Sequence, residues 1–148
     1  MTTHDRIIIV VHDMAYGPPQ ALRDYLIAKH ADHIAFFGLP FYTQKSASLT
    51  VYKKGKIREK KESTRRISEG VGAYIRDVFL ILTWLLSGPS WDIFIGADVL
   101  LCFSGLLLRT LGKTRRVVLY TMDFSPVRFH NPVLNWMYHA IESVCVRL

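Results

Sequence analysis

The sequence predicts an α/β fold, a three-layer Rossmann-like domain whose mainly parallel sheet is flanked by helices. Two observations predict it. The run from Ile7 to Val11 is apolar and β-branched, as is typical of a strand buried on both faces. Further on, Trp91 to Gly96 and Arg116 to Tyr120 are two more such strands, with a helical pattern between them. Strand, helix and strand at this spacing form a βαβ unit, which requires parallel strands and a right-handed crossover.

The first half of the chain adds one helix and further strands. Two prolines follow Gly17 and open a helix that reaches about Lys29, because proline is tolerated in the first helical turn. The second strand is His33 to Phe37, and Ser48 to Lys53 alternates well enough to be a third. The segment from Lys56 to Glu62 is left open as either an edge strand or a loop.

A helix predicted from Gly70 to Ser87 is apolar on more than one face. Arg76 and Asp77 interrupt it, and the uninterrupted part is far shorter than the roughly 20 residues that a membrane span requires. Two explanations stay open for so apolar a helix. It is buried on the sheet, which we favour, or its outer face, with Trp84 at the edge, enters a membrane interface.

Boundary signals frame the last two helices. Asp98 stands at the N-cap position before the Leu-rich helix from Val99 to Leu111, and Gly112 follows its end. The last helix begins at Asn131–Pro132 with an N-cap residue and a first-turn proline. Its apolar residues still repeat at helical spacing up to Leu148, so we expect the domain to continue beyond this chain in the natural protein.

Size and composition bound the class of protein. Half of the 148 residues are hydrophobic, so residues 1–148 are predicted to form one domain with a substantial core, truncated at its C-terminal end. The start of the chain carries no recognisable secretory signal, which predicts a cytoplasmic location. Cys102 and Cys145 lie in apolar helical patterns and are predicted to be reduced core residues. No metal site is predicted, since the sequence has no D-x-D pair of carboxylates.

Most of the net charge of +7 lies in one segment. Between positions 53 and 66, eight basic residues stand against two acidic ones, a local net charge of +6. The basic residues of this run are Lys53, Lys54, Lys56, Arg58, Lys60, Lys61, Arg65 and Arg66. The run is predicted either to contact an anionic membrane surface, at about 1 kcal/mol for each residue near the lipid, or to be a solvated edge that blocks aggregation. Nucleic acid is not predicted as a partner, because aromatics and a binding motif are missing.

Two segments follow strands and are predicted to bind a ligand. The loop from Thr121 to His130 follows the strand Arg116–Tyr120 and mixes polar, charged and aromatic residues. The segment His12–Gly17 follows the first strand. Open α/β sheets bind their ligands at the carboxyl ends of the strands, where these segments lie. Dinucleotide and P-loop binding lack support, because neither glycine-rich motif is present.

With these residues in view, the chain resembles the N-terminal half of a GT-B glycosyltransferase, nearest the retaining group often called family four. The resemblance covers most of the chain and is strongest from Trp91 to Leu148. Its residues are Trp91–Gly96, the Leu-rich helix, Arg116–Tyr120, Asp123–Pro126, Arg128–Phe129 and the pattern Tyr138-x-x-Ile141-Glu142.

The resemblance implies two Rossmann-like domains with an active site in the cleft between them. The N-terminal domain holds the acceptor and the C-terminal domain grips the nucleotide-sugar donor, without a cofactor or a catalytic metal. The donor domain is missing from this chain, so we expect it to need that domain, or a separate donor-binding chain, and to turn over little or nothing alone. The implied reaction is sugar transfer to a saccharide or lipid-linked acceptor, as in polysaccharide biosynthesis, at the inner face of the plasma membrane.

Two residues are predicted to be catalytic. His12 is expected to accept a proton from an acceptor hydroxyl or to polarise it, because a general base must lie within hydrogen-bond reach of that proton. The alternative is a turn histidine with structural partners. Asp123 is the second candidate, and its alternative is a capping role in the turn of Ser125 and Pro126.

Five further residues are predicted to bind substrate: Asp13, Gly17, Asp98, Ser125 and Arg128. The guanidinium fork of Arg128 suits phosphate oxygens, with a solvated loop arginine as the alternative. Gly17 is expected to let backbone amides approach an anionic or hydroxyl-rich ligand. Asp98 is first an N-cap and only then a cleft residue. The basic run and Trp84 are the predicted membrane contacts.

Two other functions stay open. The chain is alternatively a non-catalytic subunit that completes its cleft with a separate donor-binding chain. It is otherwise a stand-alone flavodoxin-like binding domain, since a fold does not fix a function.

Overall fold

The computed structural model describes residues 5–12, 16–40, 46–63, 71–121 and 125–147. The elements within these ranges are β1 (Arg6–His12), α1 (Pro18–Ala28), β2 (His33–Leu39), β3 (Ser48–Lys53), β4 (Lys56–Glu62), α2 (Val71–Leu86), β5 (Trp91–Gly96), α3 (Val99–Thr110), β6 (Thr114–Leu119) and α4 (Pro132–Arg147).

The six strands form one sheet in the order β4-β3-β2-β1-β5-β6. Strands β2, β1, β5 and β6 pair parallel to one another, while β3 pairs antiparallel with both β2 and the edge strand β4. The predicted mainly parallel sheet is therefore confirmed. The strand order reverses between β1 and β5, and in open α/β sheets such a reversal leaves a crevice at the carboxyl ends of the two strands.

Strand β1 is the centre of the sheet because both of its faces are covered. Ile8 and Val10 belong to the core on one face, and Ile7 and Ile9 belong to the core on the other. All four side chains are fully buried. An unbroken β-branched run is the pattern that such a two-faced strand needs, because no position is left for a solvent-facing polar residue.

Helices cover both faces, which gives the three predicted layers. Helix α1 packs through Leu26 against the face that carries Ile7 and Ile9. Helices α2 and α3 cover the opposite face through residues that include Ile81 and Leu101, and α4 packs on α3.

Close contact between β5 and α3 depends on one small residue. A side chain at Gly105 of α3 would collide with the ring of Phe94 on β5. The glycine therefore lets the helix axis approach the strand, and the ring fills the space that a side chain would take.

Two questions left open by the sequence are answered by the fold. The segment Lys56–Glu62 is an edge strand paired antiparallel with β3, and the turn between them has positive φ at Lys54 and Gly55, as type I′ hairpin turns do. Helix α2 buries Ile81 and Leu85 on the sheet, which supports burial, while its outer face leaves Phe79 exposed. Within the described ranges, no helix is both long enough and apolar enough to cross a membrane.

The predicted helix boundaries and the predicted state of the cysteines also hold. Asp98 caps α3, since its Oδ1 accepts a hydrogen bond from the amide of Leu100 at 2.9 Å. Gly112 follows the helix with φ of 70°. Cys102 and Cys145 are buried free thiols on α3 and α4, and the hydrogen bond with Cys145, together with burial, raises the pKa of Cys102.

Candidate functional site

The carboxyl edge of the parallel strands brings the predicted site residues together. His12 is the last residue of β1, Asp98 follows β5 by two positions, and the loop 125–131 lies between β6 and α4. Two amides extend the parallel ladder at this edge. Ala97 donates to the carbonyl of Val10 at 2.9 Å, and Tyr120 donates to that of Gly96 at 2.9 Å. The segments that leave these strands therefore start side by side.

His12 faces a buried carboxylate. Its Nε2 lies 3.5 Å from Oδ2 of Asp77, and both side chains are nearly inaccessible to solvent. Asp77 also accepts a hydrogen bond from Nη2 of Arg76 at 3.0 Å through its other oxygen. A carboxylate that is only 4% exposed needs such partners, because an unpaired buried charge is costly. The carboxylate therefore restricts the orientation of the imidazole ring.

Sequence reasoning missed Asp77 as a site residue. The sequence shows Arg76 and Asp77 as two charged residues inside an otherwise apolar helix, where they are predicted only to interrupt a membrane span. The signal that could have identified Asp77 was a pair of charged residues inside a buried helix, because each buried charge needs a charged or polar partner.

A row of aromatic rings connects the end of β1 to α4. The ring of Tyr74 meets His12 edge to face, with centroids 6.1 Å apart, and meets Phe129 in the same way at 5.9 Å. Phe129 in turn meets Tyr138 at 5.9 Å. We call Tyr74, Phe129 and Tyr138 the aromatic row. The sequence did not predict it, because its members come from α2, a loop and α4.

Two predicted substrate-binding residues contact each other beside this row. Nη2 of Arg128 lies 3.4 Å from Oδ2 of Asp98, and both side chains are partly buried. The guanidinium carbon of Arg128 also lies 6.0 Å from the ring centroid of Tyr138. Arg128 is therefore held between a carboxylate and an aromatic face, and the alternative of a freely solvated loop arginine is not what the structure shows.

Side chains of α4 fix the backbone of the loop that carries Arg128. Oδ1 of Asn135 accepts the amides of Arg128 and Phe129 at 2.8 and 3.2 Å, and its Nδ2 donates to the carbonyl of Pro126 at 3.2 Å. His139 contacts the same carbonyl through Nε2 at 3.0 Å. The hydroxyl of Ser125 donates to the carbonyl of Val127 at 3.0 Å, so this predicted substrate ligand is engaged in the turn itself.

Two side chains near the loop have shifted pKa values. Burial, with a smaller effect of the Asp98 carboxylate, raises the pKa of Tyr138 to about 12. Its phenol is thus protonated at neutral pH. The pKa of His139 is raised by its hydrogen bond to Glu142, at 2.8 Å, and by the carbonyl of Pro126.

The start of α1 offers few donors to an anion. The amide of Gly17 donates to Oε1 of Gln20 at 3.1 Å, and the next two residues, Pro18 and Pro19, have no amide hydrogen. Few amide hydrogens are therefore free to bind a ligand near Gly17, and the expected approach of backbone amides to a ligand stays a prediction. Asp13 and Asp123 lie outside the described residues, as do Arg65 and Arg66 of the basic run.

The described part of the basic run lies on the edge hairpin. Every residue of β4 is exposed, and the strand runs the length of the sheet edge. Nζ of Lys61 lies 4.7 Å from the ring centroid of Trp84, and the same ring stacks on Phe37 with centroids 5.2 Å apart. Trp84 is thus partly buried and contacts two residues of its own chain. Contact of Trp84 and of the basic run with a membrane stays a prediction.

An apolar groove lies between α2, α3 and α4, and the aromatic row forms part of its lining. Its volume is about 310 Å³, and the surface that lines it is wholly apolar. We call it the α2–α4 groove. Its lining residues are Tyr74, Ile75, Val78, Phe79, Leu100, Phe103, Phe129, Leu134, Met137, Tyr138 and Ile141.

Comparison with known proteins does not assign the chain. No protein-family model matches the sequence, and no curated protein is significantly similar to it. Among the described residues, no group of three or more His, Cys, Asp or Glu side chains is placed to hold a metal ion. The observations that bear on function are therefore the fold and the geometry of its carboxyl edge.

Proposed function

We propose that this chain is the acceptor-binding half of a glycosyltransferase, which moves a sugar from a nucleotide-sugar donor to a saccharide or lipid-linked acceptor at the cytosolic membrane face. One observation carries the proposal. The His12–Asp77 pair, the Asp98–Arg128 pair and the aromatic row lie together at the carboxyl edge of a parallel sheet, beside the reversal of strand order. Ligands of open α/β folds bind at this edge.

Each part of the site has a role in holding an acceptor. A histidine oriented by a buried carboxylate suits a sugar hydroxyl, whose proton it can accept or polarise. The guanidinium of Arg128 offers parallel donors that match phosphate oxygens on an acceptor or a donor. The aromatic row supplies an apolar wall between them. Concave sites with an apolar wall and a few placed polar groups are typical of small-molecule binding.

Donor binding is assigned to another part of the enzyme. In this proposal a second domain, or a separate chain, closes over the carboxyl edge and brings the nucleotide sugar to it. No metal or organic cofactor takes part. The chain by itself then binds acceptor and transfers no sugar.

Binding to the isolated chain tests the proposal. Spectra of isotopically labelled protein would be recorded with a panel of saccharides and lipid-linked saccharides, with nucleotide sugars and with flavin mononucleotide. We expect an acceptor-type compound to shift the signals of His12, Tyr74 and Arg128, and Arg128→Ala to weaken that binding. Arg58→Ala, on the exposed strand β4, is the matched control and should bind as the unmodified chain does. Failure of every saccharide to shift these signals would reject the proposal.

One observation favours a second candidate, a flavodoxin-like binding domain. The parallel strands follow the order β2-β1-β5-β6, which is the start of the flavodoxin-like order. Phosphate groups of nucleotides commonly bind at the first helix N-terminus, but Pro18 and Pro19 remove two amides there. Stoichiometric binding of flavin mononucleotide in the same panel would favour the flavodoxin-like domain over the glycosyltransferase.

A further inference from the structure

The α2–α4 groove leaves apolar side chains in water. Ile75 and Phe79 of α2 are 57% and 62% exposed, and Met137 of α4 is 47% exposed. These three residues line the groove together with the aromatic row. Contiguous exposed apolar surface of this kind marks a binding site in soluble folds, because covering it gains about 25 cal/mol for each Å² removed from water.

The lining of the groove selects the chemistry of its occupant. A protein occupant would have to be a helix, which pairs its own backbone groups. An extended segment laid in the groove would bring backbone amides and carbonyls, which need hydrogen-bond partners when they are buried. The lining surface is wholly apolar and offers none. A hydrocarbon chain has no such need.

A cation lies beside the aromatic row that lines the groove. Arg128 lies over the ring of Tyr138, which lines the groove, and its next residue, Phe129, lines the groove as well. The contact of Arg128 with Asp98, at 3.4 Å, is longer than the roughly 2.7–2.9 Å of a strong charge-assisted hydrogen bond. A phosphate can therefore engage the remaining donors of this guanidinium.

We propose that the α2–α4 groove holds the hydrocarbon chain of a single-chain lipid phosphate, with the phosphate at Arg128. The inference rests on the proposed function and narrows the acceptor class to lipid-linked acceptors. The sugar-accepting end of such a molecule then lies on the His12 side of the aromatic row.

Calorimetric titration of the full chain with farnesyl phosphate, below its aggregation concentration, tests the inference. Farnesol has the chain without the phosphate, and inorganic phosphate has the anion without the chain. We expect one farnesyl phosphate to bind per chain, and farnesol and inorganic phosphate each to bind about tenfold more weakly or worse. Arg128→Gln should remove the advantage of farnesyl phosphate over farnesol.

Two matched pairs of variants locate the site. Met137→Glu and Ile75→Glu place a charge in the groove, where burial of a carboxylate by a hydrocarbon is costly. Val144→Glu and Leu86→Glu change equally apolar, partly exposed residues of the same two helices that do not line the groove. We expect the first pair to lower the affinity for farnesyl phosphate about tenfold or more, and the second pair to leave it within about twofold.

Three results would overturn the inference. One is the absence of farnesyl phosphate binding. Another is an equal loss of affinity in both pairs of variants, with circular dichroism showing all four to be folded. The third is a dimer, seen by sedimentation, that Met137→Glu alone dissociates, because a second copy of the chain would then occupy the groove. Saccharide binding at His12 and Arg128 without farnesyl phosphate binding would reject the lipid and leave the proposed function standing.

Discussion

Asp98 and Arg128 are joined by a contact of 3.4 Å across 30 positions of the sequence, while the second oxygen of Asp98 caps helix α3. One carboxylate thus ties the start of a core helix to the loop that follows β6. The loop is fixed a second time from α4 by Asn135 and His139. Arg128 is consequently positioned before any ligand binds, and pre-positioning lowers the entropic cost of binding.

Substitution of Asp98 should separate its two roles. Asp98→Ala removes the cap and the contact with Arg128, and we expect it to lower the free energy of unfolding by about 1 kcal/mol. Asp98→Asn keeps a capping oxygen and should stay within about 0.5 kcal/mol of the unmodified chain. Urea denaturation measures both values. Equal destabilisation by the two variants would show that the ion pair, and not the cap, is the stabilising contact.

Loss of Asp77 should destabilise the fold more than loss of a surface carboxylate. Asp77→Ala removes one acceptor from Arg76 and from the nearly buried His12, and we expect it to cost about 2 kcal/mol of unfolding free energy. Glu62→Ala is the control, since Glu62 pairs with Lys60 at the surface and should cost at most about 1 kcal/mol. The comparison is again made by urea denaturation. A cost for Asp77→Ala no larger than that of the control would contradict the pairing described here.

The loop contact of His139 should depend on pH. Its two ring nitrogens face a carboxylate and a carbonyl, both of which are acceptors, so only the protonated ring donates to both. The pKa of His139 is raised in the folded state. The stabilisation is therefore fully present below the unfolded pKa of about 6.5 and is lost as pH rises through the folded value.

A variant isolates this effect from other titrating groups. The difference in thermal midpoint between the unmodified chain and His139→Gln should be larger near pH 6 than near pH 8.5. His30→Gln, at the end of α1, is a control histidine outside this loop. A difference that is constant across this range, or that grows with pH, would be inconsistent with the assigned contacts.

The basic hairpin should bind anionic membranes if the proposed location is right. Reversal of the charge at both Lys60 and Lys61 should weaken binding to vesicles of anionic lipid roughly thirtyfold, taking about 1 kcal/mol for each residue near the surface. The variant Arg109→Glu with Arg115→Glu carries the same charge change elsewhere and should bind more nearly as the unmodified chain does. Sedimentation with vesicles measures both. Binding that depends only on net charge, and not on position, would remove the hairpin from the membrane proposal.

Local sequence patterns predicted the elements closely. The strand Trp91–Gly96 has the predicted bounds, and α3 ends one residue before the predicted Leu111. These bounds follow from the spacing of apolar residues, from continuous apolar runs and from capping residues, all of which act over a few neighbouring positions. The state of Lys56–Glu62 was not decided in this way, because an exposed edge strand has no buried face to give it a pattern.

The candidate site was predicted only in part. Position after a strand pointed to His12, Asp98 and Arg128, since the topology places all carboxyl ends on one edge. Asp77 and Tyr138 were missed, because they lie on helices whose contribution to that edge depends on how the helices pack.

The sequence by itself determined that a parallel sheet forms, with β1 at its buried centre, because an apolar β-branched run can satisfy no other environment. Only the tertiary structure decided that His12 faces Asp77, that Arg128 lies between Asp98 and Tyr138, and that three helices leave an apolar groove open. These contacts join residues distant in the chain, and they depend on helix packing that no local pattern encodes.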